Sequence, residues 1–347
     1  MSFFAVVFFV ALTMLSKISP FFAAIHAKIL LYIDGMIQMV ASKDSQWKQP
    51  VDWTSSKIPK IGSKRIIFIR HGESVWNEVF NRGFNLGFPM RLLKAAIREA
   101  TLFASPFSIF FDTPLNHEGL QQAKDLAKFL EAGVTSDNPA VADVISVLRG
   151  DAPQDSLIVS SNLRRALATV AIGLWRRLDK TREKILIHSA CQEISRNVDC
   201  VASAAPGTTP HMEGPDSGEA PKLMAHGPTY AADKIFDPAY NSGQKPLNER
   251  GIERLQYFAE WVFTRPEHTV IVGGHSLWFR NFFKAFLAAN DNHPGKSCKM
   301  VNGGVVAFTL NIGKTDNGHV HWIEPNSIVT VHGGFEAPKS SKKSKSV

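Results

Sequence analysis

The chain has little cysteine and no acceptor for N-glycosylation. Cys191, Cys200 and Cys298 are its three cysteines in 347 residues. An odd, sparse set argues against a disulfide framework and favours a reducing compartment. No Asn-x-Ser/Thr triplet occurs, although an extracytoplasmic domain of this size would often carry one. His-Glu-x-x-His, a Walker glycine loop and a calcium-loop pattern are also missing. The sequence therefore offers no signature of metal-assisted or nucleotide chemistry, and neither a metal nor another cofactor is expected. No zinc spacing or RNP-like signature accompanies the net charge of +8, so nucleic acid is not an expected partner.

No apolar run reaches the roughly 20 residues that a bilayer demands. Two shorter runs stand near the beginning. Phe3 to Leu15 is apolar but for Thr13, and Phe21 to Ile33 is interrupted by His26 and Lys28. The first has no polar face of the kind a surface helix turns to solvent. Residues 1–40 are therefore expected to associate with a membrane, as an anchor or as interfacial helices with Lys17 and Lys28 snorkelling. Basic residues beyond them (Lys43, Lys48, Lys57, Lys60, Lys64, Arg65) put the remainder on the cytoplasmic side by the positive-inside bias. Two alternatives stand: a buried helix of a soluble domain, or a signal peptide cut after Ala24 or Ala27 that sends the chain into the secretory pathway. The second lacks a basic start.

The chain as a whole has enough apolar material, 44%, for a large core. Residues 41–62 read as a linker. Short β-branched runs recur at Arg65–Ile69, Leu157–Ser160, Lys184–His188, Thr269–Gly273 and Val305–Leu310. Helical periodicity lies between them: Leu163, Ala166, Leu167, Val170, Leu174 and Leu178 form one stripe, and Leu120, Ala123, Ala127 and Leu130 another. Strands alternating with amphipathic helices predict an α/β fold, a mostly parallel sheet covered on both faces, over 63–334. A local repeat, Pro114-Leu115-Asn116-His117-Glu118-Gly119 against Pro246-Leu247-Asn248-Glu249-Arg250-Gly251, predicts two helix starts with Asn as N-cap. Two segments fit no compact unit and read as insertions, at 83–111 and 201–230. The first is rich in phenylalanine, with Arg91, Lys94 and Arg98 on one helical face and Met90, Leu93 and Ile97 on another. The second is a long loop, of the kind that is a lid or disorder. Residues 335–347 read as a basic disordered tail, with four lysines between Lys339 and Lys345.

The chemistry concentrates at strand ends. Arg70-His71-Gly72-Glu73-Ser74 follows the first strand and precedes a helix expected over Ser74–Phe80, a junction where an open α/β sheet binds ligands and helix amides favour anions. A neutral imidazole is a competent nucleophile near neutral pH, and an arginine supplies a planar fork for phosphoryl oxygens. Other junctions add Arg165, Glu193 and Gly274-His275-Ser276. Two arginines, two histidines and a carboxylate thus reach one edge, a set suited to phosphoryl transfer. Arg164 is expected to face solvent or phosphate, and Arg82 and Arg196 are candidate substrate contacts or plain surface charge. Trp175, Trp261 and Trp278 fall on core stripes.

From Arg65 to about Leu310, outside the insertions, the sequence resembles the histidine phosphatases of the phosphoglycerate mutase-like superfamily. The resemblance lies in Arg70-His71-Gly72-Glu73-Ser74 with Asn77, Ser161-x-Leu163-x-Arg165-Ala166-x-x-Thr169, the Glu193 segment and Gly274-His275. It implies a three-layer α/β/α sandwich and a metal-independent phosphomonoester hydrolase acting on a phosphorylated substrate through a phosphohistidine. By this resemblance His71 is the nucleophile, Arg70, Arg165 and His275 hold the phosphoryl group, and Glu193 protonates the leaving oxygen. Asn77 and Ser276 are its implied substrate contacts. Ser276 after His275 excludes the branch whose acid is an aspartate at that position. The glycine and tryptophan usual downstream of Glu193 are replaced by Ile194-Ser195-Arg196-Asn197-Val198-Asp199. A mutase is the rival within enzymes, disfavoured because the Glu-Arg-His-Tyr run is absent and Ser276 stands where mutases have Asn. A non-catalytic membrane-bound scaffold is the rival outside them.

Overall fold

The structure, a computed structural model, describes residues 3–47, 58–105, 107–132, 137–151, 155–212, 232–316 and 318–337. Its spine is β1 (Lys60–Arg70), where Ile66, Ile67, Phe68 and Ile69 are all fully buried. A strand covered on both faces needs such an unbroken apolar run. On one side β1 pairs in parallel with β5 (Thr269–Gly274), β5 with β2 (Ser156–Ser160), β2 with β3 (Ile185–His188) and β3 with β4 (Phe236–Tyr240). On the other side β1 pairs antiparallel with β6 (Val305–Thr315), which carries β7 (Gly318–Ile323) and β8 (Val329–His332), also antiparallel. The sheet order is β4-β3-β2-β5-β1-β6-β7, with β8 on β6.

Helices cover both faces. Ile67 and Ile69 pack with α4 (His117–Glu131), α5 (Pro139–Leu148) and α6 (Arg164–Gly173), through Leu126, Val144 and Leu167 among others. Ile66 and Phe68 pack with α8 (Gly251–Thr264) and α9 (Ser276–Phe286). Phe68 is the hub of this second layer. Its ring stacks on Phe279 at 4.1 Å and meets Trp278, Phe282, Phe283 and Phe308 edge-on, the two arrangements that ring quadrupoles favour. The expected three-layer α/β/α sandwich is what the chain forms.

Local differences have local causes. The stripe from Leu163 to Leu178 is two helices, α6 and α7 (Trp175–Thr181), because Leu174 leaves helical geometry (φ −104°, ψ 19°). Asn116 caps α4, its side chain accepting from Gly119 N. Asn248 caps nothing: α8 starts three residues later, where Glu253 accepts from Arg250 N at 2.9 Å. β4 has no clear strand signal in the sequence, since Pro238 argues against one. The proline is tolerated because β4 is the edge of the sheet. Of the second insertion, 213–230 lie outside the described residues, as do the lysines of the tail.

The N-terminal residues form α1 (Phe3–Leu15) and α2 (Pro20–Ala41). By length and composition α2, with 22 residues, suffices to cross a membrane. One stripe of it faces the domain: Lys28, Gly35 and Gln38 are buried. Lys28 does not snorkel, as expected of it, but pairs with buried Glu99 of α3 (Phe88–Thr101) at 3.3 Å, and Tyr32 donates to the same carboxylate at 2.9 Å. A paired ammonium is satisfied where it lies and needs no route to water.

Candidate active site

The C-terminal ends of β1, β2 and β5 meet at one edge, and the backbone there is locked. His71 N donates to Gly274 O at 3.0 Å, and Ser161 N to Gly273 O at 2.9 Å. Gly72 N donates to Thr169 Oγ1 at 3.0 Å, and Thr169 Oγ1 to Arg165 O at 2.8 Å. Gly72 and Gly119 allow the β1 loop and the start of α4 to touch: a Cβ on either would collide with the other's backbone or with Glu73, which is why only glycine fits.

His71 is buried. Its Nδ1 lies 2.6 Å from Gly72 O, and a carbonyl can only accept. The proton is therefore on Nδ1, and Nε2 keeps its lone pair. Arg165 Nε points at that lone pair from 3.4 Å, and the His275 ring lies 5.0 Å away between centroids. Burial, then Arg165 and Arg70, hold the His71 pKa well below the ordinary histidine value. The nucleophile candidate is thus neutral, oriented and aimed into a cationic enclosure.

The enclosure has unused capacity. Arg165 is anchored through NH1 to Asp199 O at 2.7 Å and through NH2 to the Asp199 carboxylate at 3.4 Å, leaving Nε for the nucleophile's side. His275 Nε2 lies 2.8 Å from Ser161 Oγ, which also accepts from Leu163 N. Ser161 Oγ keeps a second lone pair and can accept from or donate to Nε2, and the other ring nitrogen of His275 is Nδ1. That Nδ1 is buried and has no partner among the described residues, and neither has Arg70 Nε. Two buried nitrogens beside His71 therefore have hydrogen-bonding capacity left for an anion.

Glu193 is buried at the start of α9. Its Oε1 accepts from Ile194 N at 2.9 Å and Trp278 N at 2.8 Å, and its Oε2 from Leu277 N at 3.3 Å. These amides and Arg165 favour the carboxylate, but burial outweighs them and the pKa is raised. A raised value is what a general acid requires.

The five residues expected to carry the chemistry therefore share one enclosure. The two expected substrate contacts sit in the elements that follow β1 and β5. Asn77 Oδ1 accepts from Ser74 N at 3.3 Å, shaping the loop, and Ser276 is buried in the first turn of α9. Arg164 corrects an expectation. It is buried, donates to Asp112 O and Ser108 O at 2.8 Å each, and so fastens the first insertion to α6 rather than facing solvent or phosphate. Arg82 pairs with Glu73 and Arg196 is exposed. Among the described residues no three His, Cys, Asp or Glu side chains group as metal ligands.

Several site residues carry no local signal. Asp199 anchors Arg165, and Asn302 Nδ2 donates to His71 O at 3.0 Å. Glu336 Oε1 lies 3.1 Å from Arg70 NH1. Its neighbour Phe335 bridges to Met300 and packs on Phe283, so the ordered chain continues past the expected boundary at 334.

No family model matches the chain, and no curated protein does. Among solved structures it is similar to a mycobacterial glucosyl-3-phosphoglycerate phosphatase in complex with VO3, at 16% identity and a TM-score of 0.35, over 75% of this chain and 97% of that one. It is also similar to a mutant phosphoserine phosphatase of Entamoeba histolytica in complex with phosphoserine, at 14% identity and a TM-score of 0.32, over 74% and 94%. Likenesses of this size assign no activity; the side chains of the enclosure carry that question.

Proposed function

We propose that the protein is a phosphomonoester hydrolase working through a phosphohistidine on His71. The observation that carries this is the Nε2 lone pair of His71, which meets Arg165 Nε beside the unpartnered nitrogens Arg70 Nε and His275 Nδ1. In the first step the Nε2–P bond forms as the ester P–O bond breaks, and Glu193 gives its proton to the leaving oxygen. Oε2, whose single amide contact is the longest of the three, is the oxygen that holds that proton. In the second step water attacks phosphorus, the N–P bond breaks, and the proton returns to Glu193. Charge spread over the equatorial oxygens meets donors already in place, which is how fixed dipoles lower such a barrier. His71→Ala should abolish both turnover of an aryl phosphate and acid-labile, alkali-stable phosphate labelling; persistence of both rejects the proposal.

We further propose that residues 3–41 rest on a membrane with the catalytic domain on the cytoplasmic side. Phe4, Phe8, Met14, Phe21, Met36 and Val40 are exposed on α1 and α2, and so are Met90, Leu93 and Ile97 on α3. Since Lys28 and Tyr32 hold α2 to the domain through Glu99, an interfacial placement of α2 against α3 fits better than an isolated span. Arg91, Lys94 and Arg98 suit anionic headgroups. Recovery of the full chain in the high-speed supernatant would reject membrane attachment.

A further inference from the structure

A cavity of about 540 Å³ adjoins Glu193. Ile194 and Leu277, whose N–H groups hold the Glu193 carboxylate, also form part of the cavity wall. The size is that of a small-molecule site. Its charged lining is unbalanced: Arg280, Lys284 and Lys296 face a single carboxylate, Asp44, which is already paired with Lys245 and Arg254. Lys296 is engaged with the backbone carbonyls of Ala288 and Ala289. Arg280 and Lys284 make no ion pair among the described residues, and Arg280 Nε is buried without a partner.

The cationic lining runs on toward the nucleophile. Burial, then Arg280 and Lys296, lower the Lys284 pKa. Burial, then Arg70, lower that of Lys299 against the opposing charges of Glu336 and Glu193, and Arg280 adds to the lowering. His71 in turn feels the Lys299 charge. Like charges held around a concavity raise one another's energy and focus a positive potential within it, and a bound anion relieves both effects.

This arrangement bears on which half of a substrate goes where. In a hydrolase that uses Glu193 to protonate the leaving oxygen, the leaving group emerges at Glu193, beside Ile194 and Leu277 of the cavity wall. We propose that the cavity receives the leaving-group half of the substrate and that this half carries a second anionic group, held by Arg280 and Lys284. The substrate class is a phosphomonoester with a carboxylate or phosphate several bonds from the scissile oxygen. The proposal rests on the phosphatase reading.

Matched aryl phosphates test it with the full chain: 4-(2-hydroxyethyl)phenyl phosphate, 4-(carboxymethyl)phenyl phosphate and 4-(phosphonomethyl)phenyl phosphate. One charge-assisted contact predicts a kcat/KM about tenfold higher for an anionic probe than for the neutral one, and the stronger of the two anionic probes identifies the group. The Arg280→Gln/Lys284→Gln variant should lose that preference and keep its rate on the neutral probe. Equal rates on all three probes, or a preference that survives in the variant, would overturn the proposal. Failure of the underlying phosphatase reading looks different, because no probe turns over at all. In that case titration of the carboxymethyl probe decides: binding weakened in the variant supports the cavity assignment, and no binding, or binding unchanged in the variant, rejects it.

Discussion

Asp44 Oδ2 lies 2.6 Å from Lys245 Nζ, 201 residues away in sequence, and both side chains are buried. The same carboxylate accepts from Ser195 N at 2.8 Å and pairs with Arg254. Lys245 Nζ also donates to Glu193 O and Ser195 O at 2.6 and 2.7 Å, and Arg254 NH1 to Gln192 O at 2.7 Å. A residue just beyond α2 is thus the counter-charge of a cage around the loop that carries Glu193. The expected linker begins as part of the cage around the Glu193 loop.

Asp44→Asn leaves two buried cations against a neutral amide. Breaking a buried pair on one side typically costs about 3–5 kcal/mol, here softened because burial already lowers the Lys245 pKa and the ammonium can shed its proton. A loss of about 3 kcal/mol is expected in urea unfolding of the full chain, and a loss below about 1 kcal/mol would show that the cage is not holding the loop.

The pH profile is set by two shifts. A solvated histidine at 6.5 and glutamate at 4.5 would leave almost no molecules with the base neutral and the acid protonated. Burial lowers His71 and raises Glu193, which moves both toward the productive pair. Activity should fall on acidification only below 6.5, as His71 protonates, and on alkalinisation only above 4.5, as Glu193 ionises. Arg165 lowers both values, so Arg165→Gln should move both limbs of the kcat/KM profile to higher pH; unmoved limbs would dissociate those residues from the rate.

Gly119→Ala places a methyl group against the Glu73 backbone. The Arg70–Glu73 loop must shift, and misplacement by about 1 Å can cost about a hundredfold in rate. A loss of kcat with the fold retained by circular dichroism is expected. Wild-type kcat would mean that the contact does not position His71.

His188 is buried against Tyr240 and Trp261, its ring stacking on Tyr240 at 5.3 Å, and burial lowers its pKa to about 4. A group depressed in the folded state adds stability above its unfolded value, near 6.5, and this is lost as pH falls toward 4. The difference amounts to about 3 kcal/mol. His188→Asn, which retains an acceptor for Ala190 N, should flatten stability between pH 6.5 and 4. An unchanged slope would assign the acid sensitivity to other groups.

Sequence alone determined the parts of this protein that are local in the chain. The run Arg65–Ile69 is buried on both faces because a central strand needs no polar side, and a strand followed by Arg70-His71-Gly72 can only deliver those side chains to the sheet edge. Asn116 starts a helix through a hydrogen bond three residues long. The residues that complete the site answer to contacts no local pattern encodes. Asp44 and Lys245, Asp199 and Arg165, and Glu336 and Arg70 are charges that at the surface would be worth little. They matter because folding removes all of them but Glu336 from water, and a buried charge must find a partner or an anion. Asn248 and Arg164 make the same point in reverse: a residue type suited to capping or to phosphate took neither role, since the helix started later and the nearest oxygens belonged to Asp112 and Ser108. Which polar groups become buried, and which of those stay unpaired, was decided by the tertiary structure.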